Sequence, residues 1–282
     1  MAHNFSDEQL RIAEINAYGK FYPHKSKLLV VKIIRKIFIN YYLIKVNIIN
    51  LARKIFFKLQ LIKKTELIGC KLTVNFNELA KKQMEEKQCT FIEKFFNNDF
   101  YILLLKNFPT KNIFFKQKKI VQNSYSALIY QTNLNNDDKI IFFPYYVKLY
   151  EFLKGYEFEN AVNNFFGNKE KLKLYSIGTH YSEENSYLIP HQDGIIKLNK
   201  NTYNFIYFLD GEDDDIEHSG GTEIHEDNNL QKLILKPSTL KNSCLIYNSS
   251  ADFFHGYKVL KKNCFRKALT FQFLPEAMIP PR

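Results

Sequence analysis

Two histidines and an aspartate are spaced as metal ligands in the last third of this 282-residue chain. His191 and Asp193 form a His-x-Asp pair within Ile189-Pro190-His191-Gln192-Asp193-Gly194. On a β-strand, residues two apart project to the same face, so an imidazole nitrogen and a carboxylate oxygen can share one ion. His255 follows 64 residues later, in Phe253-Phe254-His255-Gly256, and Arg266 comes eleven residues after that. Two imidazoles and one carboxylate grouped on one side of Fe(II) leave three coordination positions open. A bidentate 2-oxo acid fills two of them and O2 the third. The distant carboxylate of such a molecule needs a fixed cation, and arginine suits that task because its planar fork pairs with a carboxylate through two bonds.

These residues need strands to hold them, and the sequence after Leu172 supplies candidates. Lys173–Ser176, Tyr187–His191, Tyr203–Leu209, Gly221–His225, Lys232–Leu235, Ser243–Asn248 and Lys267–Leu274 read as short strands separated by polar turns. Many short strands with turn signals between them predict a sandwich or barrel. Upstream, Phe100–Leu105 and Lys139–Phe143 read as strands, and Tyr145–Phe166 as a helix ended by Gly167. The acidic run Glu212–Asp215 lacks the alternating spacing of an EF-hand and reads as a solvated turn.

Charge divides the chain unevenly. The net charge is +11, yet residues 1–90 carry 17 Lys/Arg against 7 Asp/Glu, so the remainder is almost neutral. Residues 25–64 hold 11 Lys/Arg and no Asp, Glu, Gly or Pro. Lys32, Lys36, Asn40, Asn47, Asn50, Lys54 and Lys58 recur at helical spacing opposite Leu, Ile, Val and Phe. A basic helical N-terminal extension, 1–89, is therefore expected before a body of 90–282. Three roles compete for its amphipathic stretch: a helical layer on the body, an interfacial helix drawn to an anionic membrane, or a dock for an acidic partner. No nucleic-acid-binding motif accompanies it. Its longest uncharged run, Ile37–Ile44, has eight residues, too few to span a bilayer. The start lacks a signal-peptide layout. The four cysteines form no CxxC pair and no zinc spacing, so a reducing, cytoplasmic setting is expected, peripheral at the inner face of a membrane if the extension binds lipid.

The order His-x-Asp, Gly220-Gly221, His255 and then Arg266 on a terminal strand resembles the Fe(II)/2-oxoglutarate-dependent dioxygenase superfamily, most closely its prolyl-hydroxylase-like branch. Asn204-Phe205-Ile206-Tyr207-Phe208-Leu209-Asp210, Ser219-Gly220-Gly221-Thr222-Glu223-Ile224 and Cys244-Leu245-Ile246-Tyr247-Asn248 are similar to that family's strands. The resemblance spans roughly residues 171–275. It implies an α+β fold, a double-stranded β-helix or jelly-roll core with supporting helices. It also implies Fe(II), the cosubstrate 2-oxoglutarate and O2, with decarboxylation to succinate coupled to hydroxylation of an organic substrate.

Carried over by position, His191, Asp193 and His255 are expected to hold iron and Arg266 to hold the far carboxylate of 2-oxoglutarate. Thr270, four residues on, and Tyr181, ten before His191, are expected beside the cosubstrate, and Tyr187 and Glu223 at the substrate. Phe208 departs from the pattern where the branch often carries a tyrosine hydroxyl, and Tyr207 is expected to point the other way. Asp193 argues against a halogenase, which lacks that ligand. His180, His218 and His225 read as structural. The cysteines have no general base beside them in a recognisable order, so thiol catalysis is not expected. The expected substrate is a small metabolite or a nucleotide- or polymer-linked sugar. The alternatives are a protein (prolyl-type) hydroxylase and, from another class, a non-catalytic jelly-roll binding module.

Overall fold

A computed structural model of the chain describes residues 73–108, 115–118, 122–131, 144–167, 170–193, 201–213, 215–229 and 231–279. The basic stretch 25–64 and the strand expected at 139–143 lie outside these residues. Among the described residues are four α-helices, and their buried side chains share one core. Helix α1 (Glu78–Lys87) is capped by Asn77, whose side chain accepts the Ala80 amide at 2.9 Å. Helix α2 (Asn98–Lys106) stands where a strand was expected over 100–105. The apolar run Tyr101–Leu105 suits a buried strand or a helix equally. Phe100 and Leu104, one turn apart, are the buried pair, and Asp99 and Lys106 sit at the ends that suit the helix dipole. The helix expected over 145–166 is divided at Gly155 into α3 (Pro144–Lys154) and α4 (Tyr156–Phe166). Phe158, Val162 and Phe165 give α4 its buried face, and Gly167, in the left-handed region, ends it.

The strands make one antiparallel sheet. They are β1 (Cys89–Ile92), β2 (Phe115–Lys118), β3 (Gln122–Gln131), β4 (Leu172–Ser182), β5 (Tyr187–His191), β6 (Tyr203–Gly211), β7 (Glu223–His225), β8 (Leu233–Leu235), β9 (Ser243–Asn248), β10 (Phe254–Tyr257) and β11 (Arg266–Pro275). Their order is β1-β9-β6-β11-β4-β3-β5-β10-β7-β8, with β2 on β3. Strand β3 joins the two halves, pairing with β5 at Gln122 and Asn123 and with β4 from Tyr125 onward. Residues of β4, β6 and β11 line one cavity together with residues of β5 and β10, so the sheet is folded over on itself as a double-stranded β-helix.

Two cores result, one on each side of the central strands. Tyr203, Phe205, Tyr207 and Leu209 of β6, with Leu269, Phe271 and Phe273 of β11, pack against the helices. Ile206 and Phe208 of β6, Leu245 and Tyr247 of β9 and Ala268 of β11 face the inside of the roll. All six residues of β9 are buried, as a strand covered on both faces requires. Residues 73–89, inside the segment that charge assigns to the extension, pack here too. Ala80 and Met84 are buried in the helix-side core, with Val74 and Phe76 against it. Asn248 reinforces this join, its backbone amide donating to the Gln88 carbonyl at 2.9 Å and its Nδ2 to Gln88 Oε1 at 3.0 Å. No helix among the described residues is long and apolar enough to cross a membrane.

Phe205 is wholly buried and stacks on Phe271, with ring centroids 5.1 Å apart. Phe205→Ala is expected to cost about 3–5 kcal/mol of folding stability in a denaturant titration. Leu79→Ala, at a side chain 68 % exposed, is expected to shift stability by no more than about 0.5 kcal/mol.

Candidate functional site

The pairing of β5 with β10 sets His191 and His255 directly opposite one another, with ring centroids 4.3 Å apart. Gly256 makes this approach possible. A Cβ there would lie 2.6 Å from the Leu188 carbonyl oxygen and 2.9 Å from the Pro190 nitrogen, inside van der Waals contact. Asp193 follows the end of β5 and returns its carboxylate to the same place, Oδ1 standing 3.8 Å from His255 Nε2. One ligand atom from each of the three lies within 4.8 Å of the others. Among the described residues this is the one such group of three or more His, Cys, Asp or Glu.

Each ligand is held by a neighbour. His191 Nδ1 stands 2.9 Å from the Ile189 carbonyl. A proton on that nitrogen leaves Nε2 bare for a metal. Asn204 Nδ2 donates to Asp193 Oδ2 at 2.7 Å, and the Tyr247 hydroxyl donates to the same oxygen at 3.1 Å. Oδ1 is thereby left for an ion. Burial, opposed by the Asp193 charge, brings the His255 imidazole down to about 4, so it is a neutral ligand at ordinary pH. Burial, with the Asp193 carboxylate adding to it, pushes the Tyr247 phenol well above its ordinary range, so it stays a donor. Two imidazoles and one clamped carboxylate, open to a cavity, are a donor set that fits a single Fe(II).

The cavity has a volume of about 290 Å³. At its far end Arg266 is only 4 % exposed. Its Nη1 donates to the Gly220 carbonyl at 3.0 Å, while its Nε is buried with no hydrogen-bond partner. The guanidinium carbon stands 5.1 Å from the Phe208 ring centre and 4.8 Å from that of Tyr257. Aromatic faces therefore supply part of what a counter-ion would. No carboxylate pairs with Arg266 among the described residues, and burial lowers its pKa. A desolvated cation that keeps free donor capacity is a receptor for an anion.

The remaining expected residues divide sharply. Thr270 lines the cavity. Tyr181, Tyr187 and Glu223 do not, and each is displaced from it by one residue. His180, Leu188 and Thr222 face inward instead. Alternate side chains on a strand point to opposite sides, so a count that is off by one turns a residue outward. Tyr181 lies with Tyr125, ring centroids 6.2 Å apart, on the outer side of β4. Glu223 pairs with His225 at 3.0 Å. His218 pairs with Asp215 at 2.8 Å and does not line the cavity, whereas His180, read as structural, does line it. Tyr207 faces the helix-side core, as its phase in β6 requires. Asn204 and Tyr247 were missed as ligand supports. Asn204 shares the strand phase of Phe208, four residues on, and that alternation is the signal that marks it as inward.

No protein-family model matches the chain, and no curated protein matches it. Solved structures do. A 2OG-Fe(II) oxygenase family oxidoreductase from Burkholderia pseudomallei aligns with a TM-score of 0.52 at 11 % identity, covering 72 % of this chain and 93 % of that one. A prolyl hydroxylase from Trichoplax adhaerens, in complex with a hypoxia inducible factor peptide fragment, aligns at 0.51 and 12 % identity, covering 70 % and 88 %. HygX from Streptomyces hygroscopicus, with nickel, 2-oxoglutarate and hygromycin B bound, aligns at 0.51 and 10 % identity, covering 73 % and 90 %. Identities this low show a common architecture: the chain has the double-stranded β-helix fold found in these 2OG-Fe(II) oxygenase structures.

Proposed function

We propose that this chain is an Fe(II)- and 2-oxoglutarate-dependent oxygenase. The observation that carries this reading is the placement of His191, Asp193 and His255 in the same cavity as a buried arginine with no carboxylate partner among the described residues. The three ligands hold the ion on one side. Arg266 and Thr270 bind the far carboxylate of 2-oxoglutarate and so fix which way the cosubstrate lies. Iron with 2-oxoglutarate and O2 supplies the oxidising chemistry, with 2-oxoglutarate decarboxylated to succinate. The protein clamps Asp193, sets the two imidazoles opposite one another, and would hold the ion facing the cavity that a substrate enters.

The cavity wall also bears on the substrate. Apart from the ligands, Arg266 and His180, its polar side chains are neutral: Gln122, Ser176, Asn204, Thr222, Tyr247, Tyr257, Thr270 and Gln272. Amides and hydroxyls of this kind suit a small, hydroxyl-rich molecule or a sugar better than an anion or a charged peptide side chain. The hygromycin B-bound HygX structure supports a small-molecule substrate, and the peptide-bound Trichoplax structure supports the alternative of a protein hydroxylase. Hydroxylation of a small metabolite or a linked sugar is the reading preferred here.

Anaerobic addition of Fe(II) and 2-oxoglutarate is expected to produce the weak visible absorption of the metal chelate. His255→Ala is expected to abolish it, and Arg266→Ala to raise half-saturating 2-oxoglutarate about a hundredfold. A folded wild type that binds neither iron nor 2-oxoglutarate would sink the assignment in favour of a non-catalytic module. Tyr247→Phe removes one of the two donors on Asp193 Oδ2, and Fe(II) affinity, measured by competition with a chelator, is expected to fall roughly tenfold. For the basic stretch 25–64 we propose contact with an anionic surface. Full-length protein is expected to sediment with vesicles containing anionic lipid at low salt and to be released as salt rises. Failure to sediment at low salt rules this out.

A further inference from the structure

Thr270 does not stand alone on the cavity wall. Its Oγ1 lies 3.1 Å from His180 Nε2, across β11 and β4. The two side chains share a space that exists because position 178 is glycine. Gly178 is the register partner of Thr270, and a Cβ there would lie 2.9 Å from Thr270 Oγ1 and 3.3 Å from His180 Nε2. In the next row of the sheet Ala268 pairs with Phe208 on one side and with His180 on the other. His180 and Phe208 thus stand on the two strands that flank β11, one strand away from Ala268 in opposite directions. Phe208 contributes only an aromatic face to Arg266.

We propose that His180 is a positioning residue for the cosubstrate: its imidazole donates Nε2–H to Thr270 Oγ1 and so turns the Thr270 hydrogen toward the carboxylate that Arg266 binds. The inference rests on the oxygenase reading above and assigns a part in it to a side chain that touches neither the metal ligands nor the arginine fork. Its logic is a matter of counting hydrogens. A threonine hydroxyl has one hydrogen to give. If His180 Nε2 accepted it, none would be left for an anion in the cavity. If Nε2 carries the proton, the hydroxyl accepts from the ring and donates to the carboxylate. Burial and the nearby Arg266 charge bring His180 down to about 4, so the ring is neutral and free to adopt that tautomer. The hydroxyl that Phe208 cannot provide is in this way supplied by Thr270 of β11 itself, held by His180 from the flank opposite Phe208.

The test is an anaerobic titration of full-length protein and Fe(II) with 2-oxoglutarate, followed by the chelate absorption. Pyruvate, a 2-oxo acid without the far carboxylate, is titrated alongside. His180→Phe keeps the ring and loses the donor, and is expected to raise half-saturating 2-oxoglutarate roughly tenfold. His180→Gln, whose amide can donate to Thr270, is expected to recover most of that loss. Thr270→Val is expected to match His180→Phe, and the double variant to be no worse than either. Pyruvate binding is expected to be unchanged throughout. A His180→Phe protein that binds 2-oxoglutarate as the wild type does, additive losses in the double variant, or an equal loss of pyruvate binding each overturns the inference while the wild-type band keeps the oxygenase reading. Absence of the band in the wild type overturns both. Should His180→Phe not fold, Thr270→Val decides, because unchanged 2-oxoglutarate binding in that variant leaves His180 nothing to position.

Discussion

The close approach of β10 to β5 is the contact on which the rest of the site depends. It puts His255 opposite His191, and it leaves no room for a side chain at Gly256. Both strands are short, so few ladder bonds hold them. The approach is stabilised from outside the pair. Strand β3 anchors β5 through Gln122 and Asn123, and β7 anchors β10 through three register pairs. Once the two imidazoles are fixed, Asp193 need only be turned back toward them. Asn204 and Tyr247, from two strands of the opposite half, perform that turn. Ligands and their supports thus come from both halves of the folded sheet, so the donor set exists only when the roll is closed.

Closure also explains how Arg266 is tolerated. A buried cation without a counter-ion is costly, and natural cores rarely keep one. Here the cost is lowered by the Gly220 carbonyl and by two aromatic faces, yet Nε is left without a partner. These contacts hold the guanidinium in place without neutralising it. The long strands β4, β6 and β11, paired over most of their length, supply the rigidity that such an arrangement requires.

How much of this was legible in the sequence depends on which kind of signal carried it. The strand bounds 187–191 and 243–248 coincide with the structure because turn residues flank compact apolar runs. The order of His191, Asp193, His255 and Arg266 was legible because each is a chemically distinctive residue at a strand end. The strand that closes the roll, β3, was not, since Gln122–Gln131 mixes polar and apolar residues and owes its place to partners on both sides. Helix α2 was misread because five consecutive apolar or aromatic residues carry no period. Tyr181, Tyr187 and Glu223 each stand beside a chain neighbour that lines the cavity. Counting along a chain crosses turns and bulges, and each irregularity can exchange the inward and outward faces. His180, passed over as a lone histidine, is the inward partner of that same error.

The inward residues of the large half fall into rows that grade from neutral to charged. Asn204, Gln272 and Ser176 form one row, Ile206, Thr270 and Gly178 the next, then Phe208, Ala268 and His180, with Arg266 beyond. The first row adjoins Asp193 through Asn204, and the last meets the buried cation. An anion entering this gradient is drawn to one end. A neutral polar molecule finds hydrogen-bonding groups at the other, beside the ligand set. On the oxygenase reading proposed above, cosubstrate and substrate are sorted by charge before either is recognised by shape, because the same three strands offer each a different wall. On that same reading, substitutions at Ser176 or Gln272 alter what is accepted as substrate without touching Arg266, whereas a change near Arg266 acts on 2-oxoglutarate and so on every substrate alike.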